Sequence, residues 1–104
     1  MTARFDELIH SPHRLRICAF LSGVDSGEFA TVRDFLEVSD ATLSKQLKIL
    51  AAAGYLEISK PTGRGRVRTW LRLTDAGRSA YQDHAQALRL LVNADLQSSP
   101  STSA

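Results

Sequence analysis

The side chains that could make or break bonds are few in this sequence. The 104 residues include one thiol, Cys18, and three imidazoles, His10, His13 and His84. Nucleophilic and general acid–base catalysis need a reactive group and its base at one place. No such pairing, no phosphate-loop motif and no carboxylate pair at useful spacing is visible, so an enzyme is not expected and no cofactor is implied. Metal ligation needs several Cys or His at ligand spacing. The cysteine is alone and the histidines are dispersed, although a His13/His84 site across a dimer is conceivable. Cys18 reads as a buried helix residue, with redox sensing as the alternative.

The chemistry that the sequence does concentrate is electrostatic. From Ala41 to Leu73 there are seven cations (Lys45, Lys48, Lys60, Arg64, Arg66, Arg68 and Arg72) against Glu57 alone, a net of +6. The whole chain is only +2, so the remainder carries −4. A basic block in a mildly acidic chain is the footprint of a polyanion partner, and charge alone does not separate DNA, RNA and acidic lipid.

Much of that block belongs to one amphipathic stretch, Ser39 to Gly54. Ser39 is a good N-cap and Asp40 suits the positive end of a helix dipole. Gly54 suits the left-handed position after the last turn. Leu43, Leu47 and Leu50 make a core stripe. Ala41, Thr42, Lys45, Lys48 and Ala52 lie opposite, flanked by Ser44 and Gln46. Small, hydrogen-bonding and cationic residues on one face suit a major groove; an ordinary solvated face is the rival reading.

The elements that must hold this helix follow from pattern. The length suits one domain, and the single cysteine excludes an internal disulfide. No apolar run is long enough for a signal peptide or a membrane span, so a cytoplasmic protein is expected. Arg4 to Ile9 reads as one or two helical turns. Ser11-Pro12 starts a helix to Leu21 that buries Leu15, Ile17, Cys18 and Leu21. Glu28-Phe29-Ala30 is an extended link or minimal strand. Thr31 caps a short helix, Val32 to Leu36, that buries Phe35 and Leu36. After Gly54 the period changes to alternation in Tyr55–Lys60 and Val67–Leu73, joined by Pro61–Arg66, which predicts an antiparallel hairpin. Leu56, Ile58, Val67, Leu71 and Leu73 would face the core. Thr74-Asp75 caps a last helix, Ala76 to about Leu96. Its stripe of Tyr81, Ala85, Leu88, Leu91, Val92 and Leu96 asks for a second subunit. A single domain over 1–96 and a disordered Ser-rich tail over 97–104 are expected.

That order of pieces resembles the small winged-helix DNA-binding regulators close to the MarR and ArsR families. Four phrases carry the likeness: Ser11-Pro12-His13-Arg14-Leu15, Ser39 to Leu50, Gly54-Tyr55-Leu56, and Leu73-Thr74-Asp75-Ala76-Gly77-Arg78. The resemblance implies an α+β, mostly helical fold: a winged helix-turn-helix with a two- to three-stranded antiparallel wing and a C-terminal dimerisation helix. It further implies a homodimeric, sequence-specific regulator on a pseudo-palindromic double-stranded operator. Residues 40–53 would enter the major groove and the wing, 60–68, would meet the backbone or minor groove. The candidate DNA contacts are Ala41, Thr42, Ser44, Lys45, Gln46, Lys48, Lys60, Arg64, Arg66 and Arg68. Among them, Gln46 suits adenine and Lys45 suits guanine or phosphate. The candidate dimer contacts are Phe5, Leu8, Tyr81, Ala85, Leu88, Leu91 and Val92. A small aromatic effector near Tyr81, Trp70, Phe5 and Leu88 is an open addition. A winged-helix protein–protein module without DNA binding is the alternative function. One departure is Glu37, where many helix-turn-helix turns carry glycine; a positive φ there would cost roughly 1–2 kcal/mol.

Overall fold

The computed structural model describes residues 3–60 and 68–98, with side chains as far as 94. The expectations for Arg64, Arg66 and Val67 and for residues 99–104 lie outside the described residues. Four helices and a small sheet follow in the order α1 (Pro12–Ser22), β1 (Gly27–Glu28), α2 (Phe29–Leu36), α3 (Asp40–Ala52), β2 (Leu56–Ser59), β3 (Trp70–Leu73) and α4 (Asp75–Ser98). The sheet is antiparallel with strand order β1-β3-β2, and the register pairs Leu56 with Leu73 and Ile58 with Leu71. β1 adds Gly27 opposite Leu71 and Glu28 opposite Trp70.

All elements but β1 and α4 place buried apolar side chains in one core. Ile17, Cys18 and Leu21 come from α1, Val32 and Leu36 from α2, and Leu43, Leu47 and Leu50 from α3; Leu56, Leu71 and Leu73 come from the sheet, and Ile9 precedes α1. Helix α3 starts as its sequence asks, with Ser39 Oγ accepting the Thr42 amide at 3.1 Å. It ends where Gly54 takes φ +81° and the Tyr55 amide reaches back to the Leu50 carbonyl at 3.0 Å. The turn before it does require a left-handed residue: Glu37 sits at φ 57°, ψ 47°. Beside that turn, Arg33 donates to Asp34 and Asp40 at 3.0 Å each, tying α2 to the first turn of α3.

The start of α4 is fixed against the end of α3. Thr74 Oγ1 accepts the Gly77 amide at 2.9 Å and donates to the Gly54 carbonyl at 2.7 Å. Gly77 lies so close to Tyr55 that a Cβ would collide with the Tyr55 carbonyl oxygen. Arg78 then reaches the Ser22 and Val24 carbonyls at 3.2 and 2.8 Å, closing the loop after α1 onto α4.

Several local expectations are corrected. Residues 7–9 form one turn, the shorter of the two lengths expected, started by Asp6 Oδ1 on the Leu8 and Ile9 amides and closed by the His10 amide on the Asp6 carbonyl at 2.9 Å. Ser11 is the N-cap residue of α1, but its hydroxyl makes no capping bond. Helix α2 begins at Phe29, so Thr31 is inside it, not its cap. The extended link is Gly27–Glu28, held by β3. Phe35 is 49% exposed, lying against Phe20 at 5.0 Å between ring centroids and under the Arg16 guanidinium. Ile58 is 40% exposed because β2 runs past the core edge.

Gly77→Ala should gain about 1 kcal/mol of helix propensity. The collision with Tyr55 outweighs it, and urea unfolding should show a net loss of roughly 2 kcal/mol or more. Glu37→Gly should stabilise by about 1 kcal/mol, the left-handed strain relieved less the added freedom of the unfolded chain. Glu37→Ala, which keeps a Cβ, should show no such gain in the same melts.

Candidate nucleic-acid interface

Helix α3 turns its leucine stripe inward, which leaves Ala41, Lys45 and Lys48 exposed and Thr42 and Ser44 half-buried on the outer side. Thr42 Oγ1 accepts from the Ser39 hydroxyl at 3.0 Å, so its own proton remains available to a ligand. Lys45, Lys48 and Lys60 have no carboxylate within 4 Å among the described residues. A cleft of about 290 Å³ separates α3 from the sheet, with Phe29, Leu47 and Ile58 among its apolar residues and Ser44, Lys48 and Lys60 among its polar ones. Three of the candidate contacts therefore line one surface although Lys60 comes from the end of β2.

Arg68 and Arg72 differ from the lysines. They stand 3.6 Å from Glu28 and Glu57 respectively, with both arginines more than half exposed. Such open pairs contribute little, and a phosphate can take the carboxylate's place.

Gln46 occupies a different position from the other candidates. It lies half-buried on the flank of α3 towards α1, where its Oε1 accepts from Arg14 Nη1 at 2.7 Å. The guanidinium only donates, so the amide oxygen is directed at Arg14. Bidentate pairing with adenine needs that oxygen as well as the amide nitrogen. Arg14 Nε in turn donates to the Leu8 carbonyl at 2.7 Å, bracing α3 against the segment before α1.

The polar contacts of that segment were not among the sequence expectations. Asp6 Oδ2 accepts the Tyr55 hydroxyl at 2.6 Å, which raises the tyrosine's pKa by stabilising its protonated form. The Asp6 amide donates to His84 Nδ1 at 2.9 Å, and His84 Nε2 lies 3.2 Å from His10 Nδ1. Within the chain the imidazole partner of His84 is thus His10, and two of the three histidines are not dispersed. A ring whose Nδ1 accepts a backbone amide carries its proton on Nε2, and that nitrogen then has no lone pair for a metal. Burial, and then His10, lowers the pKa of His84. Cys18 is fully buried and its thiol is pushed up to about 12, chiefly by desolvation, which suits packing and not redox exchange at neutral pH. No local spacing announces these contacts: the Tyr55–Asp6 and Asp6–His84 partners are 49 and 78 residues apart.

The residues expected at a dimer interface fall into two groups. Leu8 and Tyr81 pack on the edge of the core, and Phe5 lies against both His10 and His84 at ring separations of 4.8 and 4.6 Å. Ala85 and Leu88 are half-buried further along α4, while Leu91 and Val92 are 51% and 54% exposed, beside Leu90.

A family model described as a winged helix DNA-binding domain matches residues 13–92. The chain belongs to that family. This winged-helix chain is also 32% identical over 78 residues to the uncharacterized protein MJ0432 of Methanocaldococcus jannaschii, covering 75% of this chain and 85% of that one. Its fold matches a transcriptional regulator homologue from Pyrococcus horikoshii with a TM-score of 0.81 at 21% identity, over 86% of this chain and 88% of that one. A MarR-family regulator from Silicibacter pomeroyi matches with a TM-score of 0.66 at 28% identity, over 91% of this chain and 62% of that one. The winged-helix fold with a three-stranded sheet is as expected, and the family is one of DNA-binding domains, not enzymes. Among the described residues no helix is long and apolar enough to cross a membrane.

The brace and the outer face should separate in mutagenesis. Gln46→Ala leaves an Arg14 donor without its partner and should cost about 1–2 kcal/mol in urea unfolding. Lys45→Ala, on the exposed side, should stay within about 0.5 kcal/mol of the parent.

Proposed function

We propose that this winged-helix regulator binds a pseudo-palindromic site in double-stranded DNA as a homodimer, with α3 in the major groove. The observation that carries the reading is the outer side of α3, where Ala41, Lys45 and Lys48 are exposed and Lys60 stands across a cleft that Asp40 also lines, none of the three lysines having a carboxylate within 4 Å among the described residues. Small residues permit close approach, and uncompensated ammonium groups gain most from displacing counterions around phosphate. Lys45, Thr42 and Ser44 are assigned to base edges or phosphate, and Lys48, Lys60 and Arg68 to the backbone. Arg64 and Arg66 would extend the same surface along the wing. Gln46 contributes by orienting α3, with its nitrogen left to donate.

The second subunit would cover Phe5, Leu8, Tyr81, Ala85, Leu88, Leu91 and Val92. At Leu90, Leu91 and Val92 α4 carries apolar side chains that are half exposed, and two-fold pairing of helices is the usual way to bury such a stripe. The two copies of α3 would then face successive major grooves about one helical turn apart. A small aromatic effector has a candidate entrance in a cleft of about 550 Å³ that Arg4, Phe5, Tyr55 and Asp83 help to line.

Selection of bound sequences from random double-stranded DNA, followed by anisotropy titration at several salt concentrations, tests this. Two half-sites spaced by about 10 base pairs are expected. Lys45→Ala and Lys48→Ala should each reduce the slope of log K against log salt by about one. Absence of any salt-sensitive binding would refute the reading, and a monomer at micromolar concentration would remove its dimeric part.

A further inference from the structure

Among the described residues, His84 is the one polar side chain that is fully buried. Its environment leaves its ring a single protonation pattern. Nδ1 faces the Asp6 amide at 2.9 Å. A backbone amide can only donate, so Nδ1 carries no proton. Nε2–H then donates to His10 Nδ1 at 3.2 Å. The segment held in this way is not a free end. Its Asp6 carboxylate takes the Leu8 and Ile9 amides and the Tyr55 hydroxyl, and its Leu8 carbonyl takes Arg14 Nε. Arg14 Nη1 ends the series on Gln46 of α3. A continuous hydrogen-bonded path therefore runs from α4 through residues 6–8 and α1 to the helix assigned to the major groove.

We propose that His84 is a positioning residue for DNA binding: its unprotonated Nδ1 holds residues 4–10 where Arg14 can brace α3, and protonation releases that brace and weakens the complex. This rests on the DNA-binding reading above. A proton on Nδ1 would point at the Asp6 N–H, so the charged ring cannot keep the bond. Desolvation and then His10 oppose the charge, while Asp6 and Glu7 favour it, with the balance lowering the pKa from 6.5. The other groups on the path are Tyr55 on Asp6 and Arg14 on Leu8, and Asp83 precedes His84 on α4. The bond is complete above pH 6.5, the unfolded-state value, and is lost as pH falls through the lower folded-state pKa.

The sign separates this from ordinary charge effects. Protonating surface histidines adds positive charge and should tighten DNA binding as pH falls. Release of the brace loosens it.

The test measures Kd for the selected DNA from pH 8 to 5 at constant ionic strength. The parent protein should weaken about tenfold per pH unit below the transition. His84→Asn places a non-titrating oxygen at the Nδ1 position and should lose that dependence, whereas His84→Leu, with no acceptor, should bind weakly at every pH. Coincident parent and His84→Asn profiles, or parent binding that only tightens with acid, would overturn the proposal. A measurement on the parent protein alone needs no variant to fold. Imidazole ¹⁵N shifts should show the Nε2–H tautomer, and both the Asp6 amide and the Gln46 side-chain amide should follow the His84 titration. An Nδ1–H tautomer, or a Gln46 signal indifferent to His84, would also overturn it. If these signals behave as expected but no DNA binds at any pH, the failure is of the DNA-binding reading, and the inference falls with it.

Discussion

The rest of the molecule depends on the burial of one side of α3. A helix of 13 residues is marginal by itself in water, since its nucleation cost is repaid only by packing. Leu43, Leu47 and Leu50 supply that packing, and α1, α2 and the sheet exist around them. Each neighbour meets α3 from the inner side or a flank: α2 through the Glu37 turn and Arg33, α1 through Arg14, β2 through the turn at Gly54. Among the described residues the outer side has no protein partner, so its composition is free of core constraints.

Electrostatics divides the basic block in a way that total charge does not show. The +6 counted along the sequence includes arginines that the fold sets beside Glu28 and Glu57. The lysines of α3 and Lys60 have no such neighbours among the described residues. Glu28 lies outside the basic block in sequence, yet β1 pairs with β3 and brings it to Arg68. A carboxylate on each edge strand offsets part of that charge locally, whereas no carboxylate stands within 4 Å of Lys45, Lys48 or Lys60 among the described residues.

What could be read in the sequence was whatever depends on neighbours within a few residues. The Ser39 cap, the leucine stripe, the left-handed Gly54 and the Thr74 start of α4 each follow from local geometry, and each is present. The family phrases were legible for the same reason; Gly77 in the last of them is needed because α4 begins against the Tyr55 backbone. Most of the expectations that changed depend on distant partners. Phe35 has the spacing of a core residue, but α1 offers Phe20 and Arg16 on the surface instead. Thr31 resembles a cap, but pairing of Gly27–Glu28 with β3 starts α2 earlier. Gln46 has a residue type that suits base recognition, and only the position of Arg14 shows that its oxygen is engaged.

The segment before α1 shows why a buried polar residue can be tolerated in so small a core. An apolar side chain at position 84 would avoid the desolvation that lowers the imidazole's pKa. It would leave the Asp6 amide without an acceptor, and residues 4–10 would lose their hydrogen bonds to α4 while keeping those to Tyr55 and Arg14 and the contacts of Ile9 and the partly buried Leu8. Hydrophobic contact does not fix direction, whereas a bond to one ring nitrogen does. The arrangement thus exchanges some stability for a defined path of the chain beneath α3, and orientation is the property that a helix reading a groove requires.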